Sequence, residues 1–272
     1  MKNPACLLFV LVVALKMLAQ ESREKPPDNL GFFAGASFYL GDLNNFSNFY
    51  PLTQPALGLV YRHNFNPRFS LRMNGIYGIV KGDDAVSHSS AQKQRNLSFR
   101  SNIIEGSAQL EFNYLEYKIG SEKYPASFYL FLGLGGFWFD PQANLNGSWV
   151  KLRPLHTEGK KYSPVQVCMP LGIGAKFNMG TKAGLAIEWG MRKTFTDYLD
   201  DVSTVYIDSV ILSTTRGSNA EALSDRSTNN PPGSINTGRQ RGNSKNKDWY
   251  SFVGVAITFK LKEQETPCFH AY

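Results

Sequence analysis

Cysteine is scarce, with three in 272 residues. Cys6 lies in an N-terminal apolar run, which leaves Cys168 in an expected strand and Cys268 near the end of the chain. That is too few for a disulfide framework, and the spacing does not suit a Cys-based metal centre. Charge is also sparse, at 19% of residues, which makes a protein of long solvated helices a poor fit. Beyond the first residues, no apolar stretch approaches the roughly 20 residues that a membrane-spanning helix requires. The four histidines, His63, His88, His156 and His270, are widely separated, and none has HExxH spacing. No GxSxG nucleophile elbow occurs. Ser87 and Ser89 flank His88, but adjacency along a polar loop does not bring a nucleophile and a base together in space. These gaps lead us to expect no catalytic role, no cofactor and no metal.

Basic residues outnumber acidic ones, 29 to 22, but they are dispersed. Their densest run, 239–247, lies in Gly/Ser/Asn-rich sequence that reads as a solvated loop, so no nucleic-acid partner is expected.

What the chain does contain is glycine and aromatic residues, with 24 Gly, 19 Phe and 13 Tyr. This mix suits short strands joined by turns. At the N-terminus, Lys2 precedes the apolar run from Cys6 to Leu15, and Ala19-Gln20 offers a small-residue cleavage point. Residues 1–19 therefore read as a signal peptide and 20–272 as the exported domain. Cys6 stands at the front of that segment and not at the cleavage point, which argues against a lipid anchor.

Two-residue alternation predicts eight strands, at 30–40, 56–65, 68–80, 98–114, 126–139, 164–177, 182–196 and 249–261. Compact turns are expected at 66–67, 116–125 and 178–181, and longer polar connections at 41–54, 81–96, 141–163 and 197–248. Long connections at one end and short ones at the other are the signature of an all-β, antiparallel transmembrane barrel in the outer membrane, in contact with its lipids. On that reading the loop 197–248 is extracellular and the tail 262–272 periplasmic.

The strand faces support a barrel. In 98–114 one face carries Ile104, Gly106, Ala108, Leu110, Phe112 and Tyr114, and the other Glu105, Ser107, Gln109, Glu111 and Asn113. In 182–196, Leu185, Ile187, Trp189, Met191 and Phe195 oppose Glu188, Arg192 and Thr194. Arg62, Asn64, Arg72, Asn74 and Lys176 fall on equivalent polar faces. A barrel of about eight strands is just wide enough to be filled by side chains, so these charges should pair and block the lumen. Phe65, Phe69, Phe112, Tyr114 and Phe177 form one expected aromatic girdle, and Trp138, Phe195 and Trp249 the other.

Residues 216–247 are rich in Ser, Asn, Gly and Pro and lack periodicity, which predicts a mobile loop. Just before them, Asp197, Tyr198, Asp200 and Asp201 form an acidic cluster that lacks the Gly and distal Glu of a calcium loop. Its carboxylates are expected to order the loop or contact a partner, and Tyr198 and Leu199 suggest a packed loop start.

Several runs carry a resemblance to a known family. They are Gly41-Asp-Leu43, Ala56-Leu-Gly-Leu-Val-Tyr-Arg62 with Asn66-Pro67, Asn96-Leu-Ser-Phe-Arg-Ser101, Thr194-Phe-Thr-Asp-Tyr-Leu-Asp-Asp-Val-Ser-Thr204, and Arg241-Gly-Asn243 before Asp248-Trp-Tyr250. Together they resemble the PorG family of outer-membrane barrels. The resemblance implies a structural or anchoring component of the type IX secretion system, in contact with a periplasmic ring of PorK-like and PorN-like proteins, and it carries over no catalytic residue. The alternative expectation is a small adhesion or ligand-binding barrel acting through its extracellular loops.

Overall fold

The structure, a computed structural model, describes residues 25–44, 49–227 and 236–261. The expected signal peptide and C-terminal tail lie outside the described residues. The strands are β1 (Asn29–Leu40), β2 (Gln54–Asn64), β3 (Phe69–Asp83), β4 (Ser98–Asn113), β5 (Ala126–Leu145), β6 (Ser148–Lys151), β7 (Val165–Met179), β8 (Ala183–Thr194) and β9 (Trp249–Lys260). All pairings are antiparallel and run β4-β3-β2-β1-β9-β8-β7-β5, and β5 pairs back onto β4 to close the ring. Eight strands form the barrel, and β6 is a short hairpin partner on the projecting end of β5.

The alternation in the sequence becomes an inside and an outside. Glu105, Ser107, Gln109, Glu111 and Asn113 of β4 are buried, while Ile104 and Leu110 face out. The outward rows of the other strands are equally apolar, with Phe32 at 65% and Leu134 at 66% exposure, joined by Leu57, Leu59, Met73, Leu130, Ile173 and Ile187. An apolar exterior around a polar, closed interior is stable in lipid, because each of the eight ring strands pairs on both sides and leaves no open sheet edge. The chain is an outer-membrane-type β-barrel.

The lumen is filled as the strand faces imply. Glu111 accepts from Arg62 at 3.0 Å and Lys176 at 2.5 Å, while Arg192 meets Glu105 at 3.0 Å. Aromatic rings seal the gaps: Phe131 lies under Arg72, Phe252 under Arg192, and Tyr129 under Lys176. The compact connection after β4 folds over the short-turn end, burying Tyr117 and Ile119.

Two expectations about the long connections fail. Residues 141–163 do not form a plain polar loop, since β5 continues to Leu145 and turns back through Asn146-Gly147 into β6. Both turn residues have positive φ, 51° and 86°, which is the conformation that makes Asn-Gly a favoured hairpin turn. Residues 216–247 are not a loose loop in their described part. Helix α1 (Ser209–Arg216) leads into α2 (Ser218–Ser224), whose Ala220 and Leu223 are buried, and Arg241 is buried as well. Low periodicity was a poor guide here, because polar hydrogen bonding organises this segment more than an apolar stripe does.

Candidate functional site

The long-loop end of the barrel is closed by a cap whose polar groups are almost entirely spent on one another. Its centre is the hydroxyl of Tyr39, at the end of β1, which lies 2.5 Å from Asp200 Oδ2 and 2.9 Å from Asp248 Oδ1. The second oxygen of each carboxyl accepts a backbone N–H, from Val202 for Asp200 and from Leu199 for Asp248. A phenol has one hydrogen to donate, so two short contacts to two carboxyls require a proton on one of the carboxyls. Burial pushes both acids well above the usual carboxylate range; Asp248 and Asp42 add to it at Asp200, and Asp197 at Asp248.

All four residues singled out in the sequence sit in this cap. Asp197 accepts from the Ser203 hydroxyl at 2.6 Å, and burial raises it to about 6. Tyr198 stacks on Tyr162 with centroids 4.8 Å apart, and Tyr162 in turn stacks on Phe139 of the barrel. Asp200 bonds Tyr39 as described. Asp201 accepts from Thr157 Oγ1 at 2.5 Å and Tyr162 OH at 2.6 Å. Burial raises Asp201 to about 6 against the pull of Arg241. Its φ of 66° is left-handed, a conformation Asp tolerates better than most residues.

Residues the acidic run did not point to complete the cap. Arg241 donates to Glu158 at 3.0 Å and to the carbonyl of Asp201 at 2.6 Å, and Glu158 accepts the N–H groups of Ser203 and Thr204. Asp42 accepts the Asn243 N–H at 2.7 Å. Gly242 is tightly placed, since a Cβ there would lie 2.5 Å from Asp42 Oδ2 and 2.7 Å from the Ser203 nitrogen. The signal for these partners was present in Gly41-Asp-Leu43 and Arg241-Gly-Asn243, but nothing in a single sequence says that two runs 200 residues apart meet. Glu158 carried no such signal.

Beside the cap, a polar pocket of about 400 Å³ opens between residues 91–95 and 239–243. Its most prominent cation, Arg95, is already bonded to Asp84 and to the carbonyls of Asp42 and Arg241. Among the described residues no cluster of His, Cys, Asp and Glu is arranged to hold a metal ion. The chemistry on view is that of a fastener, with hydroxyls, carboxyls and one buried guanidinium locking four chain segments together.

A family model described as a domain of unknown function, DUF6089, matches residues 6–206. The chain belongs to that family. No curated protein matches it. Among solved structures it is similar to Ail, the attachment invasion locus protein of Yersinia pestis, in complex with the heparin analogue sucrose octasulfate. That likeness has 9% identity and a TM-score of 0.42, over 87% of this chain and 99% of that one. It is similar to Neisserial surface protein A at 8% identity and a TM-score of 0.43, over 86% and 97%. A major outer membrane protein of Thermus thermophilus follows at 13% identity and a TM-score of 0.40, over 86% and 99%. The DUF6089 match runs through β8 and ends at Tyr206, inside the cap, so the acidic run lies within it and Arg241 and Asp248 beyond it.

Proposed function

We propose that the protein is a structural, anchoring component of the type IX secretion system, non-catalytic, with its cap outside the cell and its short turns facing a periplasmic ring of PorK-like and PorN-like proteins. The observation that carries this reading is convergence. Gly41-Asp-Leu43, the run 194–204, Arg241-Gly-Asn243 and Asp248, all part of the resemblance, meet in the cap through Tyr39, Asp42, Asp200 and Asp248. These runs of the resemblance therefore form one three-dimensional unit, while Ala56–Arg62 with Asn66-Pro67 lies in β2 and the short turn after it. The filled lumen adds that the barrel offers surfaces and not a passage. The test is to purify the tagged protein from detergent-extracted outer membranes and identify what accompanies it. Recovery of PorK-like and PorN-like proteins is the expected result, and a barrel without them overturns the assignment.

One observation favours an adhesion or ligand-binding barrel instead: Val205, Val210 and Ile211 are exposed on the cap, at 42%, 66% and 56%. On that reading, V210S/I211S removes binding to an extracellular partner. On the secretion reading the same variant leaves cargo export intact.

A further inference from the structure

On the outer face at the long-loop end, strand register lines up four residues side by side. Lys81 of β3 pairs with Arg100 of β4, Arg100 with Gln142 of β5, and Gln142 with Lys151 of β6. The flanking residues Val80, Gly82, Phe99 and Ser101 are buried, so Lys81 and Arg100 point outward, where a lipid would be. Like charges directly opposite each other across strands are unfavourable. Neither Lys81 nor Arg100 has a carboxylate partner among the described residues. Of the acids two residues along the same strands, Asp140 is held by Lys151 of the row at 3.0 Å, and Asp83 accepts the Ala85 N–H. The Arg100 guanidinium lies over the Trp149 ring, 3.8 Å from its centroid, which fixes the plane of the cation while leaving its N–H edges for an anion.

The height of this row identifies the anion. Two rungs toward the membrane centre lie Tyr77, Ile104 and Trp138, in register with one another, and the opposite girdle includes the paired Phe69 and Phe112. From position 104 to 112 of β4 is about 26 Å along the strand, or about 20 Å of membrane depth at a tilt of about 40°. Position 100 lies about 10 Å further out on the same scale, which is the level of lipid headgroups.

We propose that Lys81 and Arg100, flanked by Lys151 and braced by Trp149, form a binding site for the phosphate groups of a membrane-lipid headgroup. The acyl chains of that lipid lie along the apolar belt below. Continuity with the lipid-facing surface favours a lipid over a free anion, since a bound lipid adds contact with Ile104 and Trp138 that inorganic phosphate cannot make.

The test is native mass spectrometry of the barrel in an uncharged detergent, titrated with bis-phosphorylated lipid A or with the same lipid dephosphorylated. The phosphorylated form is expected to stay bound and the dephosphorylated form to be lost. K81Q/R100Q should weaken retention by about 25-fold, at about fivefold per cation, whereas K193Q, a lone cation on the outer face of β8, changes it by less than about twofold. Heat-modified gel mobility reports folding, and if the double variant does not fold, R100Q alone should give about a fivefold loss. Equal retention by K81Q/R100Q and the parent, or equal retention of the dephosphorylated lipid, overturns the proposal. So does release of the lipid by millimolar inorganic phosphate, which would mark a free-anion site.

Discussion

Arg72 and Glu188 meet across the lumen from strands four places apart in the ring of eight, with both terminal guanidinium nitrogens 2.6 Å from the two carboxylate oxygens. Both residues are buried, and Tyr129 adds a hydroxyl to Glu188 at 2.6 Å. The pair ties opposite walls of the barrel together in a way that neighbouring-strand bonds cannot.

Breaking that pair from one side strands a charge. Glu188→Ala leaves Arg72 with its bond to Asn74 Oδ1 and, as carboxylate partner, a long contact to Glu111 at 3.4 Å, and is expected to destabilise the barrel by about 3–5 kcal/mol. R72M/E188L, which removes both charges, should recover most of that loss. Denaturant unfolding in micelles measures it, and a Glu188→Ala barrel as stable as the parent would contradict the cross-lumen account.

The cap should weaken as pH rises. Asp197 and Asp201 are raised to about 6 by burial, above an unfolded value near 4. An acid whose folded pKa is raised stabilises the fold at low pH and loses that contribution as pH climbs from the unfolded value through the folded one, here from about 4 to about 6. Asp200 and Asp248, which burial also holds well above the usual carboxylate range, act in the same direction. Amide hydrogen exchange at Leu199 and Val202, corrected for intrinsic base catalysis, should therefore be faster at about pH 8 than at about pH 5. Slower corrected exchange at the higher pH would contradict it.

Gly242 is a position in the cap with no room for a side chain. Gly242→Ala places a methyl against Asp42 and the Ser203 backbone, and should cost about 1–3 kcal/mol and open the cap to protease. Gly106→Ala, where an added Cβ meets nothing within 4 Å, should be silent in the same assay. Identical proteolysis of the two variants would mean that the packing at Gly242 is not limiting.

Much of the barrel was legible because lipid outside and charge inside impose strict alternation on each strand. The run 98–114 alone separates Ile104 and Leu110 from Glu105 and Glu111. The cap was legible only in part. Asp197, Tyr198, Asp200 and Asp201 stand together in sequence, but Tyr39, Glu158, Arg241 and Asp248, which bond to them or to the same loop, come from three other segments distant in sequence. No periodicity connects such residues. Asn146-Gly147 was different: its hairpin signal was local, but it lay in sequence too polar to suggest that β5 continued.

The central claim is that the barrel serves type IX secretion as a structural part. The most direct measurement is export of a type IX cargo protein in a clean deletion strain, with the parent gene and K81Q/R100Q restored separately. The account predicts that cargo accumulates in the periplasm of the deletion strain and is exported again with the parent gene. Undiminished export in the deletion strain would contradict it.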